Sequence, residues 1–172
     1  MPNKFQIYQT GNSFFSNKEE AISLSSESFF GELKAGKIIY SIYEVIYLLE
    51  KGKAELIKGK NNKKESVNKL LSKLGKKHIY YIVFKDLRDK GMIVKEGLKF
   101  GTDFRVYIRG QKPGKSHAKY LLHISDNKTK INLNDFAAKS RIAHTTNKSL
   151  LLAIVDSQED VNYYEVQWKN IL

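Results

Sequence analysis

LKFGTDFRVYIRGQKPGKSHAKYLL, residues 98–122, decides how the C-terminal half of this chain folds. It holds two strand-like runs, Asp103–Arg109 and Ala118–Ile124. Between them lies Gly110-Gln-Lys-Pro-Gly-Lys-Ser, a loop built from turn formers. Tyr107 falls near the end of the first run and His117 opens the second, with Arg105, Arg109, Lys112, Lys115 and Lys119 around them. One hairpin-like unit thus carries a proton acceptor, a proton donor and an anion site.

Working outward, the pattern from Met92 to Gly110 is strand-like, with turns at Gly97 and Gly101. Upstream, Tyr80, Val83, Phe84 and Leu87 recur at three- and four-residue spacing and predict a helix over about His78–Lys90, stopped by Gly91. Downstream, the polar turn Ser-Asp-Asn-Lys-Thr (125–129) leads to a predicted helix over Asn134–His144, with Asn134 or Asp135 as its cap. Lys148 immediately precedes Ser149–Asp156, a nearly all-apolar run of the kind buried on both faces of a sheet. An acidic turn, Asp156–Asp160, separates it from a last aromatic strand, Val161–Trp168.

The N-terminal half reads as a smaller α/β unit. Residues 4–8 and 12–15 suggest edge strands or a hairpin around Gly11-Asn12, and Glu19–Leu24 a short helix. Gly31 and Gly36 mark turns. Ser41-Ile42-Tyr43-Glu44 is a capping box, in which serine caps the first turn and glutamate reaches back. Its helix runs to Leu49 and stops near Gly52, and Ala54–Ile57 follows as a strand. Lys58–Glu65 reads as an exposed loop, and Ser66 as the cap of a helix through Leu74. A boundary near residues 75–85 divides domains at 1–80 and 81–172. The expected class is α/β (α+β): a small N-terminal domain, then a central mixed sheet flanked by helices.

The 172 residues, 41% apolar and 12% aromatic, suffice to bury real cores. There is no cysteine, which removes disulfides and thiolate metal sites. No apolar run approaches a membrane span, and MPNKFQIYQTGNS lacks the apolar core of a signal peptide. A cytoplasmic protein without a membrane partner is expected. The net charge of +12 repels itself unless an anion compensates, which makes nucleic acid the leading partner and salt its antagonist. The alternative is a surface of merely solvated lysines.

Tyr107, His117 and Lys148 form the first chemical constellation. RNA can be cut by its own 2′-hydroxyl when a base takes the 2′ proton, an acid protonates the departing 5′ oxygen and a cation stabilises the phosphorane. A tyrosine, with an ordinary pKa of about 10, serves as base only where positive charge lowers it; Lys148 and the arginines are candidates. His117 can donate a proton near neutrality. Taken alone, Tyr107 also fits a half-exposed sheet position and His117 a surface loop. His117 and His123 are spaced so that they could share a strand face, but third and fourth metal ligands are missing, so neither metal nor cofactor is expected. His78 and His144 carry no signal by themselves.

Four blocks change this balance: KDLRDKGMIVKEGLKFGTDFRVYIRG (85–110), SHAKYLL (116–122), RIAHTTNKSLLLAIVD (141–156) and VNYYEV (161–166). In this order they resemble the catalytic domain of the archaeal tRNA-splicing endonucleases. IYEVIYLLEKGKAEL (42–56) resembles, less specifically, the family's N-terminal helix–strand segment. The resemblance implies that Tyr107 is the general base, His117 the general acid and Lys148 the transition-state cation of a catalytic subunit. It implies metal-independent cutting of a bulge–helix–bulge in precursor tRNA, leaving 2′,3′-cyclic phosphate and 5′-hydroxyl ends.

The resemblance also gives Arg141 the place of an arginine that stacks on a flipped bulge base across a subunit interface. Trp168 is the candidate for its partner, or else a core residue at the sheet edge. The acidic turn, with Asp156, Glu159 and Asp160, is either a solvated hairpin or the loop that enters a basic groove of a facing subunit. The implied assembly is a tetramer, either of one chain or paired with a non-catalytic paralogous subunit. Two other classes remain in view: a non-catalytic RNA-binding or assembly subunit, and a metal-dependent DNA endonuclease, for which Asp103 and Asp156 are the nearby carboxylates.

Overall fold

Apolar residues build two separate sheets, one in each half of the chain, in the computed structural model, which describes residues 4–59 and 63–169. The chain divides into Met1–His78 and Ile79–Leu172. The first unit contains β1 (Phe5–Thr10), β2 (Ser13–Ser16), α1 (Glu19–Ser28), β3 (Glu32–Lys34), β4 (Lys37–Tyr40), α2 (Ile42–Glu50), β5 (Ala54–Lys58), β6 (Lys63–Glu65) and α3 (Val67–Leu74). Its sheet has the order β3-β4-β2-β1-β5-β6, with β1 and β5 parallel.

The capping box is present in full. Ser41 Oγ accepts from the Glu44 N–H at 3.3 Å, and Glu44 Oε2 accepts from the Ser41 N–H at 2.9 Å. Glu44 Oε1 also accepts from the Gly31 N–H at 2.9 Å, so one buried carboxylate joins the start of α2 to the β3 edge.

The sequence reading needs correction in this unit. Lys63–Glu65 is not loop but a strand paired antiparallel with Leu56–Lys58. Its lysines point outward, while the Glu65 carboxylate is covered and lies near the ammonium groups of Lys69 at 2.9 Å, Lys73 at 3.3 Å and Lys58 at 3.8 Å. Charge pairing offsets the poor strand propensity of KKE. The turns at Gly31 and Gly36 bracket β3, which forms an unforeseen hairpin with β4 whose corner residues Ala35 and Gly36 both have positive φ. Ser66 precedes α3 without a side-chain capping bond.

The second unit takes all but the first residue of α4 (His78–Asp89), with β7 (Ile93–Glu96), β8 (Phe104–Tyr107), β9 (Tyr120–Asp126), α5 (Leu133–Thr145), β10 (Ser149–Val155) and β11 (Val161–Val166). The sheet order is β11-β10-β9-β8-β7, antiparallel except for β9 and β10. A parallel pair needs a crossover, and α5 supplies it. The α4 side is packed by Phe84 and Tyr80 against Phe104 at ring-centroid distances of 6.1 and 6.4 Å. The α5 side centres on Leu121, Ala143 and Leu150, with Phe100, Phe136, Ile142 and Val166 around them. β10 is covered on both sides, as its leucine run required. The architecture is the α/β (α+β) arrangement expected.

Three differences bear on the site. Asn132, not Asn134 or Asp135, caps α5, accepting from the N–H groups of both. Leu98–Phe100 is a short 3-10 turn within the expected strand region. It is fixed by Gly97, where a Cβ would come within 2.6 Å of Thr102 Oγ1 and 2.9 Å of the Phe104 backbone. β11 ends at Val166, so Trp168 lies beyond the sheet, 48% exposed and not in the core.

Candidate active site

Strand direction alone brings the candidate residues to one end of the second sheet. β9 and β10 run parallel with Tyr120 beside Ser149, so the residues preceding each strand meet. His117 precedes β9 and Lys148 precedes β10; the Ser149 N–H donates to the Lys119 carbonyl at 3.1 Å. β8 runs the other way, with Val106 beside Tyr120, so its final residue, Tyr107, reaches the same end. The Lys119 N–H closes this junction on the Val106 carbonyl at 3.0 Å.

The loop before His117 is tied down by Ser116. Its Oγ accepts from the Lys112 N–H at 2.7 Å and donates to the Lys112 carbonyl at 3.1 Å. Lys148 is aimed by the end of α5. The Lys148 N–H donates to the Ala143 carbonyl at 2.8 Å and the Asn147 N–H to the His144 carbonyl at 3.0 Å, with Asn147 at φ 60°. This is a Schellman motif, and asparagine is the usual alternative to glycine at its left-handed position. The Lys148 Nζ then donates to the Thr146 carbonyl at 2.7 Å and lies 5.2 Å from the centre of the Phe100 ring. Burial, and secondarily the Arg105 charge, hold the Lys148 ammonium below its ordinary pKa.

An open cavity of about 420 Å³ lies at this sheet end, with His117, Lys119, His144, Asn147 and Lys148 among its lining residues. Tyr107 does not line it: its side chain is 4% exposed, within the packing of the sheet. The structure therefore brings two of the three candidate catalytic groups to one cavity, with the third on the adjoining strand end.

His144 is the residue that sequence reasoning passed over. Its ring lies 5.0 Å from that of Trp168, tilted by 43°, while it also lines the cavity. The available signal was its place in the last turn of α5, four residues before Lys148. Arg141 is exposed one turn earlier on the same helix, so Arg141 and His144 share a face. Of these three, His144 lines the cavity, Trp168 contacts the His144 ring, and Arg141 shares the His144 helix face without lining the cavity.

The remaining candidates have local partners. His123 Nδ1 lies 3.1 Å from Asp103 Oδ2, which also accepts from the Ile124 N–H at 2.7 Å. Asp156 Oδ1 accepts from the N–H groups of Gln158 at 2.8 Å and Asp160 at 3.0 Å, so this carboxylate builds the acidic turn. The two carboxylates a metal nuclease would have used are thus both engaged in holding backbone. Glu159 and Asp160 are exposed on the turn.

An end-of-sheet cavity lined by an imidazole and an ammonium is chemically suited to a phosphodiester, as in a nuclease. Comparison with known proteins narrows this. Residues 78–163 match the family model described as tRNA intron endonuclease, catalytic C-terminal domain, and residues 8–71 that described as tRNA intron endonuclease, N-terminal domain. The tRNA-splicing endonuclease of Thermococcus gammatolerans is 40% identical over 168 residues, covering 94% of this chain and 96% of the relative. That of Pyrococcus horikoshii is 40% identical over 174 residues, 98% of each chain, and that of Methanothermobacter thermautotrophicus 37% over 164 residues, 93% and 95%. The chain belongs to the tRNA intron endonuclease family and is a catalytic, tRNA-splicing endoribonuclease member of it. It binds RNA as its substrate, and among the described residues no helix is long and apolar enough to cross a membrane.

Proposed function

We propose that the cavity beside β9 and β10 takes the scissile phosphate of a bulge–helix–bulge in precursor tRNA, with Tyr107, His117 and Lys148 in distinct roles. Tyr107 removes the 2′-hydroxyl proton and the freed oxygen attacks phosphorus. The O2′–P bond forms as the P–O5′ bond breaks. His117 delivers a proton to the departing 5′ oxygen, and Lys148 offsets the extra negative charge of the phosphorane. The products carry a 2′,3′-cyclic phosphate and a 5′-hydroxyl. The observation that supports this most is the meeting of His117 and Lys148 in one cavity, at the sheet end where Tyr107 also terminates.

Arg141 and Trp168 are assigned to the bulge base. Both are exposed, and the Trp168 ring rests against His144 at the cavity. An unstacked base offers both faces to such groups. The working particle is a cytoplasmic tetramer, of this chain alone or with a non-catalytic paralogue, because cutting both bulges of one substrate needs two active sites at fixed separation.

A 2′-deoxy substitution at the scissile nucleotide tests the chemistry. It should abolish cleavage and spare binding, and His117→Ala should slow the cut by a factor on the order of 10²–10⁴. Normal cleavage of the deoxy substrate would refute the mechanism; a His117→Ala enzyme as fast as wild type would refute the acid assignment.

A further inference from the structure

The catalytic assignments leave Arg105 unused, and its setting is unusual. It stands on β8 two residues before Tyr107 and therefore on the same face of the strand. Its neighbours across the ladder are Lys95 and Leu121. Cross-strand partners share a face, so Arg105 lies on the side of the Leu121–Ala143–Leu150 cluster, against which Phe100 packs. The Lys148 ammonium sits over that same Phe100 ring. Arg105 is half-buried, and its Nε is enclosed without a hydrogen-bond partner. Among the described residues no carboxylate pairs with Arg105 or Lys148; the nearby Asp103 is occupied by His123 and the Ile124 N–H.

Two neighbouring cations without an acid are costly in a partly desolvated site unless an anion completes them. From this arrangement we infer that Arg105 is a positioning residue for the scissile phosphate: it acts through Lys148, whose ammonium its charge directs outward, and the RNA phosphate is the anion that completes the pair. Lys148 touches the substrate and Arg105 supports it from the strand behind. The depressed pKa of Lys148, to which the Arg105 charge contributes, agrees with this placement. The inference rests on the reading that the scissile phosphate enters this cavity.

The test uses full-length protein and a bulge–helix–bulge RNA made uncuttable by a 2′-deoxy scissile nucleotide, with either a phosphate or a neutral methylphosphonate linkage. Arg105→Gln should weaken binding of the phosphate RNA by about tenfold or more and lower its log K against log salt slope by up to about one. It should barely affect the methylphosphonate RNA, and Arg105→Lys should restore most of the loss. The losses from Arg105→Gln and Lys148→Gln should not add, because one acts through the other. Equal weakening for both linkages, or no rescue by lysine, would overturn the inference. Lys148→Gln indifferent to the linkage would instead overturn the placement of the phosphate in this cavity. Should Arg105→Gln fail to fold, the Arg105 Nε–H resonance of wild-type protein serves: it should shift with the phosphate RNA, and an unmoved resonance would equally refute the role.

Discussion

Asn147 carries little chemistry of its own, yet replacing it should disable the enzyme through the backbone. It holds φ 60° at the left-handed position of the Schellman motif that ends α5, one residue before Lys148. For a β-branched residue this conformation costs about 1–2 kcal/mol. The two motif hydrogen bonds, Lys148 N–H to Ala143 and Asn147 N–H to His144, stabilise it by about 1 kcal/mol each. The strain from Asn147→Val is therefore comparable to what holds the motif closed, and the turn should open in a large share of molecules. The melting temperature should fall by roughly 4–8 °C for each kcal/mol in a unit of about 100 residues. The Lys148 ammonium would leave the Thr146 carbonyl, and single-turnover cleavage at saturating RNA should drop by about tenfold or more, since small misplacements at a reacting centre cost on the order of 10²-fold. Asn147→Gly should stay close to wild type in both measurements, because glycine accepts the same φ. A valine variant with unchanged melting and cleavage would refute the reasoning. Equal loss of cleavage in the glycine and valine variants would show that the Asn147 amide contacts substrate, not that the turn aims Lys148.

Three further predictions concern charge and assembly. On the proposed mechanism Lys148 acts as the ammonium, and burial and the Arg105 charge hold its pKa below the ordinary 10.5, so in His117→Ala, where the acid's own titration is removed, the residual single-turnover cleavage should fall as pH rises through that lowered value; a residual rate that stays level until pH nears 10.5 would contradict this. Glu44→Ala removes the acceptor for both Gly31 N–H and Ser41 N–H and should destabilise the first unit by about 2–4 kcal/mol in urea unfolding, whereas a loss under about 0.5 kcal/mol would show the carboxylate to be dispensable. Replacing Glu159 and Asp160 together by alanine should turn the proposed tetramer into dimers by light scattering without a change in melting temperature, and an unchanged particle mass would leave the turn merely solvated.

What could be read from the chain followed from how local each signal is. The Ser41–Glu44 box, the leucine run of β10 and the helical spacing in α4 are each decided by neighbours within a few residues, and each appears in the structure. β6 was missed because its cause is not local: KKE has no strand character until Glu65 collects lysines from β5 and α3. The true cap of α5, Asn132, was hidden by two equally good cap residues two and three positions after it. The candidate site divides in the same way. Its residue types were legible at Tyr107, His117 and Lys148, but their convergence depends on β9 and β10 being parallel, which places the residue before one strand beside the residues before the other. Neither His144 nor Arg105 could be chosen from its own surroundings in sequence. The end of α5 delivers His144 to the cavity, and a ladder partner puts Arg105 on the face shared with Phe100 and Lys148. The cavity that His144 lines and the charge balance proposed for Arg105 exist only once the sheet is assembled. It follows that in a chain this basic the informative cations are those the fold leaves half-buried and without a carboxylate, since solvated lysines bear little cost and select no particular phosphate.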